Sequence, residues 1–435
     1  NTSTNNDMDI NNNDGDGGDS QNKMKIQDLH KTVLTLRQTT RKNSIMREAK
    51  EIFYDSEFFD RLDKDNYLLG CKNCIIDFRE KRHRKGKPDD YVSKSTNIQY
   101  LPLSHYQSTC PNVIDDINEF MSQLYPNEEL RKYMWEHLAS TLLGTTHNQT
   151  FNIYTGSGAN GKSKLIELMS MVLGDYKATV PITLITQKRS QIGSASPEIA
   201  NLVGIRYAVM QEPSKGDTIN EGIVKEITGG DPIQARALFQ DSITFVPQCK
   251  LVVATNIDIN INSDDDGTWR RICSVPHDAK FTANPYNDPK YPKEQYPYQF
   301  KIDTELGNKF EIWAPVMLSM LVDLAYTTQG KVEIVDAVKS KSDEYRKGQN
   351  VLFEFYNDNI DPNPPAGKRY NLKISVILEV LKDWHSKVHG NRSAQPNRKE
   401  VVKFFEQKHG KSKSGGWAGI RLKEIQDEMI DSDDE

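Results

Sequence analysis

Residues 150–163 read Thr-Phe-Asn-Ile-Tyr-Thr-Gly-Ser-Gly-Ala-Asn-Gly-Lys-Ser, and this stretch ties the chain to one kind of architecture. Gly156, Gly161, Lys162 and Ser163 hold the fixed positions of G-x-x-x-x-G-K-[ST], the phosphate-binding loop. Ser157, Gly158, Ala159 and Asn160 fill it, and Lys164 follows. A β-prone run at 151–154 leads in. A helical run at 164–173 leads out, with Leu165, Leu168, Met169 and Val172 on one face. Glycines let backbone N–H groups curl round a phosphate, and the helix turns its positive end towards the same anion. Lys162 is expected to reach the β- and γ-phosphates and the Ser163 hydroxyl to bind Mg²⁺. Such a loop predicts a chain that binds and splits a nucleoside triphosphate, with ATP and Mg²⁺ as cofactors.

The 435 residues suggest about two to four domains. Apolar residues make up 36% and charged residues 27%, a balance that suits packed cores. No uninterrupted apolar run has the roughly 18 residues of a membrane span, and no secretory leader is expected. The first residue is Asn1 rather than Met, so the chain is expected to be part of a longer parent. Five scattered cysteines fit an intracellular, reducing compartment. Cys71 and Cys74 have half the spacing of a zinc site, without a second pair. The net charge of −5 argues against a general nucleic-acid coat but leaves room for a local basic channel. Part of that acid lies in two tails, 1–22 and 426–435, both expected to be disordered.

Along the chain, 23–111 reads as an α+β domain with a helical stretch at 27–55 and β-structure at 66–78. The basic stretch 79–87 reads as a solvated loop. Two amphipathic helices follow, one with Val113, Ile117, Phe120 and Leu124, the other with Leu130, Met134, Leu138 and Leu142. From 150 to about 260, strands at 151–154, 206–210 and 250–255 alternate with helices, the pattern of a parallel α/β core. Residues 276–300, rich in Pro, Tyr, Asn and Asp, read as a long irregular insertion, and 312–326 as an apolar helix closing a domain that spans 112–335. The rest, 336–425, reads as helix, helix, basic hairpin, the order of a winged helix, after a Pro-rich linker at 361–365.

Three features beyond the loop narrow the chemistry. The apolar run Tyr207-Ala-Val-Met-Gln-Glu212 ends in a carboxylate where P-loop ATPases carry an acid that orients the attacking water or the Mg²⁺ shell. Many carry two adjacent acids; here the first is Gln211, so Glu212 acts alone. The strand ending at Asn256 offers an amide to the γ-phosphate and the attacking water. Arg270 and Arg271, after the acidic run Asp264–Asp265–Asp266, could stabilise charge on the transferring phosphoryl group. In ring ATPases that arginine comes from the neighbouring subunit. Between these strands, two β-prone runs flank Gln240 and Asp241 and predict a hairpin. Its Arg236 and Phe239 could contact a nucleic-acid phosphate and a sugar or base.

With these motifs in order, the sequence resembles the superfamily 3 helicases, a branch of the AAA+ proteins. More narrowly it is similar to the helicase half of the poxvirus-type primase–helicases of large DNA viruses, related to phage and plasmid primases. Residues 69–77 resemble an N-terminal block of that family, with Cys74 in place of its usual Gly. Residues 156–163, 197–206, 225–231 with Arg236, 254–256 and 269–271 complete the match over about 50–330. The resemblance implies an AAA+ P-loop core with a C-terminal winged-helix-like domain. It implies a homo-hexameric ring that threads single-stranded or forked DNA, usually 3′ to 5′, in which Asn256 senses the γ-phosphate and Arg270 or Arg271 acts on the neighbour. It implies a primase domain in the same parent chain, other replication proteins as partners, no membrane, and work at a viral replication site in the host cytoplasm or nucleus. Two other readings remain open: an ATPase that packages or remodels DNA without separating strands, and, because of Gln211, a scaffold whose ATP only cements an oligomer.

Overall fold

The computed structural model describes residues 16–187, 195–214, 216–261, 263, 265–349, 351–365, 370–388, 395–413 and 415–423. Most of the acidic stretch 1–22, all of 426–435 and Asp264 lie outside them. Residues 16–22 already belong to a helix.

The chain divides after Leu62, ahead of the boundary near 111 that the sequence suggested. The first unit is helical. Asp16–Arg37 and Thr39–Ile52 are separated at Gln38, whose ψ of 127° breaks the helical ladder, and Phe58–Arg61 adds one turn. Side chains such as Leu29, Val33, Ile45 and Phe53 are exposed there.

In the second unit, β1 (Leu68–Gly70), β2 (Ile75–Asp77) and β3 (Arg82–Arg84) form an antiparallel sheet. The basic stretch therefore contains a strand and is not a plain solvated loop. Arg84 forks onto both Asp90 oxygens, at 2.8 and 2.9 Å. Leu69, Ile76 and Phe78 join the core that lies under the helices Pro111–Leu124 and Glu128–Ser140.

A five-stranded parallel sheet organises this unit. Its strands are β4 (Phe151–Thr155), β5 (Lys177–Thr179), β6 (Tyr207–Gln211), β9 (Lys250–Thr255) and β10 (Ile272–Pro276), in the order β10-β4-β9-β6-β5. Between β6 and β9 the chain makes the antiparallel hairpin of β7 (Ile233–Arg236) and β8 (Ser242–Phe245). Both faces of the inner strands are covered, so β4, β6, β9 and β10 are buried almost throughout rather than alternating, while the edge strand β5 is partly exposed. The period of two divides them between cores. Tyr154, Val209 and Val252 enter the core with the helices Lys162–Leu173 and Leu306–Thr328. Ile153, Met210, Leu251 and Val253 enter a second core with Ile185, Ile223 and Trp269.

The helix Leu306–Thr328 is long and apolar enough to cross a membrane by length and composition, more than the run of apolar residues suggested. Its Phe310, Trp313, Met317, Leu321 and Val322 are buried in the first core, so the apolar character serves internal packing.

The Pro/Tyr-rich insertion is less irregular than its composition suggests. β11 (Lys280–Thr282) and β12 (Gln299–Lys301) pair in parallel and bracket it. The C-terminal part has its own core, in which Phe355, Ile377, Leu381, Val401 and Phe405 from three helices meet Trp417. The expected basic hairpin at 411–421 is a different pairing. Gly416–Ala418 pairs with Asn371–Lys373, and Arg421–Leu422 with Ile360–Asp361. Among the described residues only a tight bridge joins the segment to itself, where Lys413 and Gly416 exchange backbone hydrogen bonds of 2.9 and 3.1 Å, and positive φ at Gly415 and Gly419 turns the chain on either side of Gly416–Ala418.

Candidate functional site

The loop after β4 closes a cavity of about 640 Å³ at the C-terminal edge of the parallel sheet, where open α/β sheets bind ligands. Ala159 and two glycines shape the loop. Gly158, Ala159 and Gly161 have φ of 84°, 49° and 78°, and a Cβ at Gly161 would come within 2.2 Å of Leu124 Cδ2. Gly161 also caps the helix Lys162–Leu173, whose N-terminal N–H groups therefore face the cavity mouth.

Gly158, Ala159, Asn160, Gly161, Lys162, Ser163 and Lys164 line this cavity together with Gln211, Glu212 and Asn256. Gly156 and Ser157 do not line it. The Gly156 carbonyl instead accepts a bond of 3.3 Å from Lys162 Nζ, which also donates to Asn160 Oδ1 at 3.1 Å and to Asn256 Oδ1 at 2.8 Å. Lys162 and Asn256, far apart in sequence, thus touch directly because β4 and β9 are neighbours in register, Thr155 opposite Thr255. Burial, then the charge of Lys280, pulls the Lys162 ammonium down to about 8. Those three oxygens are neutral acceptors, so among the described residues the ammonium is solvated by dipoles rather than paired with a carboxylate, ready for an anion.

Glu212 follows the last residue of β6. It is exposed, with φ of 56°, and its N–H reaches Ala254 O at 3.4 Å. The positive φ turns the chain out of the sheet at this point and sets Glu212 on the cavity wall. Ser163 and Glu212 supply hard oxygen donors of the kind Mg²⁺ takes, few in number and supplemented by water.

Behind the loop lies a buried polar chain. Tyr125 Oη meets His277 Nε2 at 2.7 Å, and the His277 carbonyl accepts from Asn160 Nδ2 at 3.4 Å. Burial, then Lys162, lowers His277 to about 3, so this ring is neutral and acts as a hydrogen-bonding strut.

Arg270 and Arg271 are not in this group. They precede β10, whose Ile272 pairs with Phe151 at the start of β4, so they sit at the N-terminal edge, a strand length from the cavity. Both donate to Gln149 Oε1, at 2.8 and 3.2 Å. Arg271 is buried and donates to Gly267 O at 2.5 Å, whereas Arg270 is exposed. Arg236 and Phe239 also lie apart from the cavity. Arg236 ends β7 and donates to Gln240 O at 2.9 Å. Phe239, at the hairpin tip, has φ of 58° and a relative exposure of 102%.

Sequence reasoning missed several lining residues: Phe120, Phe281, Ile302, Asp303, Thr304 and Leu306. It also missed Lys280, whose Nζ donates to Gly158 O at 2.6 Å. None of these carries a motif. Phe120 had been visible as a core residue of its helix, and the others lie within or just after an insertion whose folding depends on long-range pairing. Cys71 and Cys74 close the β1–β2 turn, the Cys71 N–H on Cys74 O at 2.8 Å. Among the described residues no cluster of three or more His, Cys, Asp or Glu side chains could hold a metal.

Comparison with known proteins adds ancestry to this geometry. Residues 4–126 match the family described as D5 N terminal like, and residues 154–271 match a family of unknown function, DUF5906. The chain is similar to the "Putative helicase L207/L206" of Acanthamoeba polyphaga mimivirus, 35% identical over 395 residues, 89% of this chain and 40% of that protein. The "Putative helicase 022R" of Frog virus 3 is 25% identical, over 91% of this chain and 46% of its own length. The "Putative primase C962R" of African swine fever virus is 25% identical, over 79% and 36%. The chain thus spans less than half the length of these relatives. Among solved structures, the apo C-terminal region of NrS-1 (305–718) aligns at 14% identity and a TM-score of 0.39, covering 73% of this chain and 70% of that one.

Proposed function

The chain is a homologue of the proteins named as helicases and primases in large DNA viruses, with a D5 N-terminal-like region ahead of its phosphate-binding loop, and on that premise we propose that it is the ATP-hydrolysing helicase part of a viral replication protein. The observation that carries this reading is the convergence of Lys162, Asn256 and Glu212 on one cavity at the strand ends. The order β10-β4-β9-β6-β5, with the loop strand between two neighbours that each end in site residues or begin after the arginine pair, supports an AAA+ core of the superfamily 3 type. The C-terminal helices with their short paired strands support a winged-helix-like domain.

In this reading the triphosphate exchanges with the three neutral oxygens now held by Lys162. The ammonium moves onto the β- and γ-phosphates, and Asn256 is released to orient the attacking water. Glu212 takes the water proton as its oxygen attacks the γ-phosphorus and the bond to the β-phosphate oxygen breaks, giving ADP and phosphate. Mg²⁺, held by Ser163 and through water by Glu212, would neutralise the β- and γ-oxygens. No arginine of the same subunit reaches this cavity from 270 or 271. The exposed Arg270 is suited to the neighbour's γ-phosphate, with Arg271 locking the turn beneath it. That requires a ring, for which we propose a homo-hexamer, with the exposed Phe239 and Arg236 on the DNA strand inside it. The parent protein would carry a primase domain and work with other replication proteins at a viral replication site.

Two assays test this. On a forked duplex, ATP-dependent strand release is expected; DNA-stimulated hydrolysis without release would instead favour a packaging or remodelling ATPase. Mixing inactive Arg270→Ala with inactive Glu212→Gln subunits should restore turnover, because some interfaces then combine an intact Glu212 with an intact Arg270. Mixtures as dead as their components would remove the shared site.

A further inference from the structure

Lys280 is almost fully buried, 2% exposed, yet it does not line the cavity. It approaches the phosphate-binding loop from the other side. Its Nζ donates to Gly158 O at 2.6 Å, with Ser157 Oγ at 3.4 Å and Ser157 O at 3.5 Å. The next residue continues the grip: Phe281 N–H donates to Ala159 O at 2.8 Å. In a trans peptide the C=O and the following N–H point in opposite directions, and no peptide here is cis. With the carbonyls of Gly158 and Ala159 drawn outward to β11, the N–H groups of Ala159 and Asn160 are turned the other way, into the cavity.

The insertion between β11 and β12 holds this lysine in place. Its Nζ sits 4.4 Å from the ring centroid of Tyr291 and 5.2 Å from that of Tyr296, two rings packed edge to face. One buried side chain positions both. Gln299 Nε2 donates to the carbonyls of Tyr291 and Tyr296 at 2.8 and 3.0 Å, and Gln299 Oε1 accepts from Tyr286 N–H at 2.8 Å. A cation over an aromatic face is attracted by the ring quadrupole.

We propose that Lys280, clamped by Tyr291 and Tyr296, is a positioning residue for phosphate binding: it braces the loop from outside so that the Ala159 and Asn160 amides face the phosphates, and the Pro/Tyr-rich insertion exists to hold it there. This inference rests on the nucleotide reading of the cavity. Lys280 touches no phosphate itself and acts through the peptide planes and through its charge beside Lys162.

The test compares Lys280→Met, Lys280→Arg and Tyr291→Leu with wild type and Lys162→Ala, using ATP and ADP binding by calorimetry, KM and kcat, and thermal melting. Lys280→Met is expected to weaken ATP and ADP about 10- to 100-fold, the range seen when the outer partner of a metal ligand is removed. KM should rise more than kcat falls, and Lys280→Arg should retain most of the affinity. A loss of melting temperature alone would not raise KM selectively, nor would it be rescued by Lys280→Arg. Affinity within twofold of wild type in Lys280→Met, with KM and kcat unchanged, overturns the brace. If Lys280→Met does not fold, Tyr291→Leu decides: wild-type ATP affinity in that variant overturns it equally. Wild type that binds no nucleotide, like Lys162→Ala, overturns the ATP reading itself.

Discussion

The two edges of the parallel sheet both hold cations, and each edge uses them differently. At the C-terminal edge, Lys162 reaches neutral oxygens of Gly156, Asn160 and Asn256 on the wall of a cavity. At the N-terminal edge, Arg206 and Lys250 are buried beside the first residues of β6 and β9. The Arg206 guanidinium donates to the carbonyls of Leu142 and Leu68 and lies 4.6 Å from the Tyr176 ring centroid, while Lys250 donates to Leu143 O. Burial lowers both, Arg206 from its ordinary range and Lys250 to about 7, where Arg206 adds to the effect. A depressed cation therefore does not mark a site here. The presence of a cavity does: at one edge an incoming anion can replace the neutral acceptors, and at the other the carbonyls are part of the fold and nothing can replace them.

Arg270 lies at the N-terminal edge but is exposed, so it breaks the division unless it serves another subunit. Arg270→Ala is expected to lower ATP turnover about 10³- to 10⁵-fold with nucleotide affinity and melting temperature unchanged; steady-state kinetics and calorimetry read both. A variant that turns over normally would return Arg270 to the structural class. Arg206→Ala should do the reverse. Left without their donor, the carbonyls of Leu68 and Leu142 stay buried, and stability should fall by about 3–5 kcal/mol in urea unfolding. A loss below about 1 kcal/mol would show that Arg206 is not a structural cation.

The first edge was legible in the sequence because its chemistry is written in contiguous residues. Gly156 to Ser163, the apolar run ending at Glu212 and the strand ending at Asn256 each announce themselves, and a parallel sheet brings strand ends together. That Lys162 and Asn256 would touch needed the register of β4 on β9. The second edge was not legible. Arg206 and Lys250 look like ordinary flanking charges, and only tertiary packing shows them capped by carbonyls from residues 68, 142 and 143. Lys280 was hidden for the same reason: its partners Tyr291 and Tyr296 come from a stretch whose composition suggested irregular chain, and a single buried glutamine folds it. The division after Leu62 was missed because the polar residues around the short apolar strands β1 and β2 make the whole stretch from 23 to 111 read as one region, although Leu69 and Ile76 enter the main core.

Titration sharpens the contrast further. At the open edge, the phosphate binds the ammonium form of Lys162, which free protein loses above about pH 8. ATP affinity should then fall by up to about tenfold per pH unit above 8, as calorimetry from pH 7 to 9.5 would read. Lys162→Arg, charged throughout this range, should flatten that limb. A wild-type profile level to pH 9.5 would mean that Lys162 does not bind the anion as an ammonium.

At the closed edge the same depression acts on folding. Lys250 is held near 7 in the folded chain and returns to the ordinary 10.5 when unfolded. Between these values the unfolded chain binds the extra proton, so unfolding free energy rises with pH. Below pH 7 both states are protonated and the cost of the buried ammonium is constant. Lys162, depressed only to about 8, contributes above that point, so the interval from pH 7 to 8 isolates Lys250. There, wild type should gain on the order of 1 kcal/mol in urea unfolding relative to Lys250→Met, which has no proton to lose. The two cations at this edge are also coupled, because Arg206 is among the causes of the depression. In Arg206→Met the Lys250 titration should move to higher pH and the gain between pH 7 and 8 should shrink. Parallel slopes in wild type and Lys250→Met would mean that the ammonium at this edge is as well solvated as one on the surface, and the contrast between a cation exchangeable for a ligand and one built into the fold would then rest on Arg206 alone.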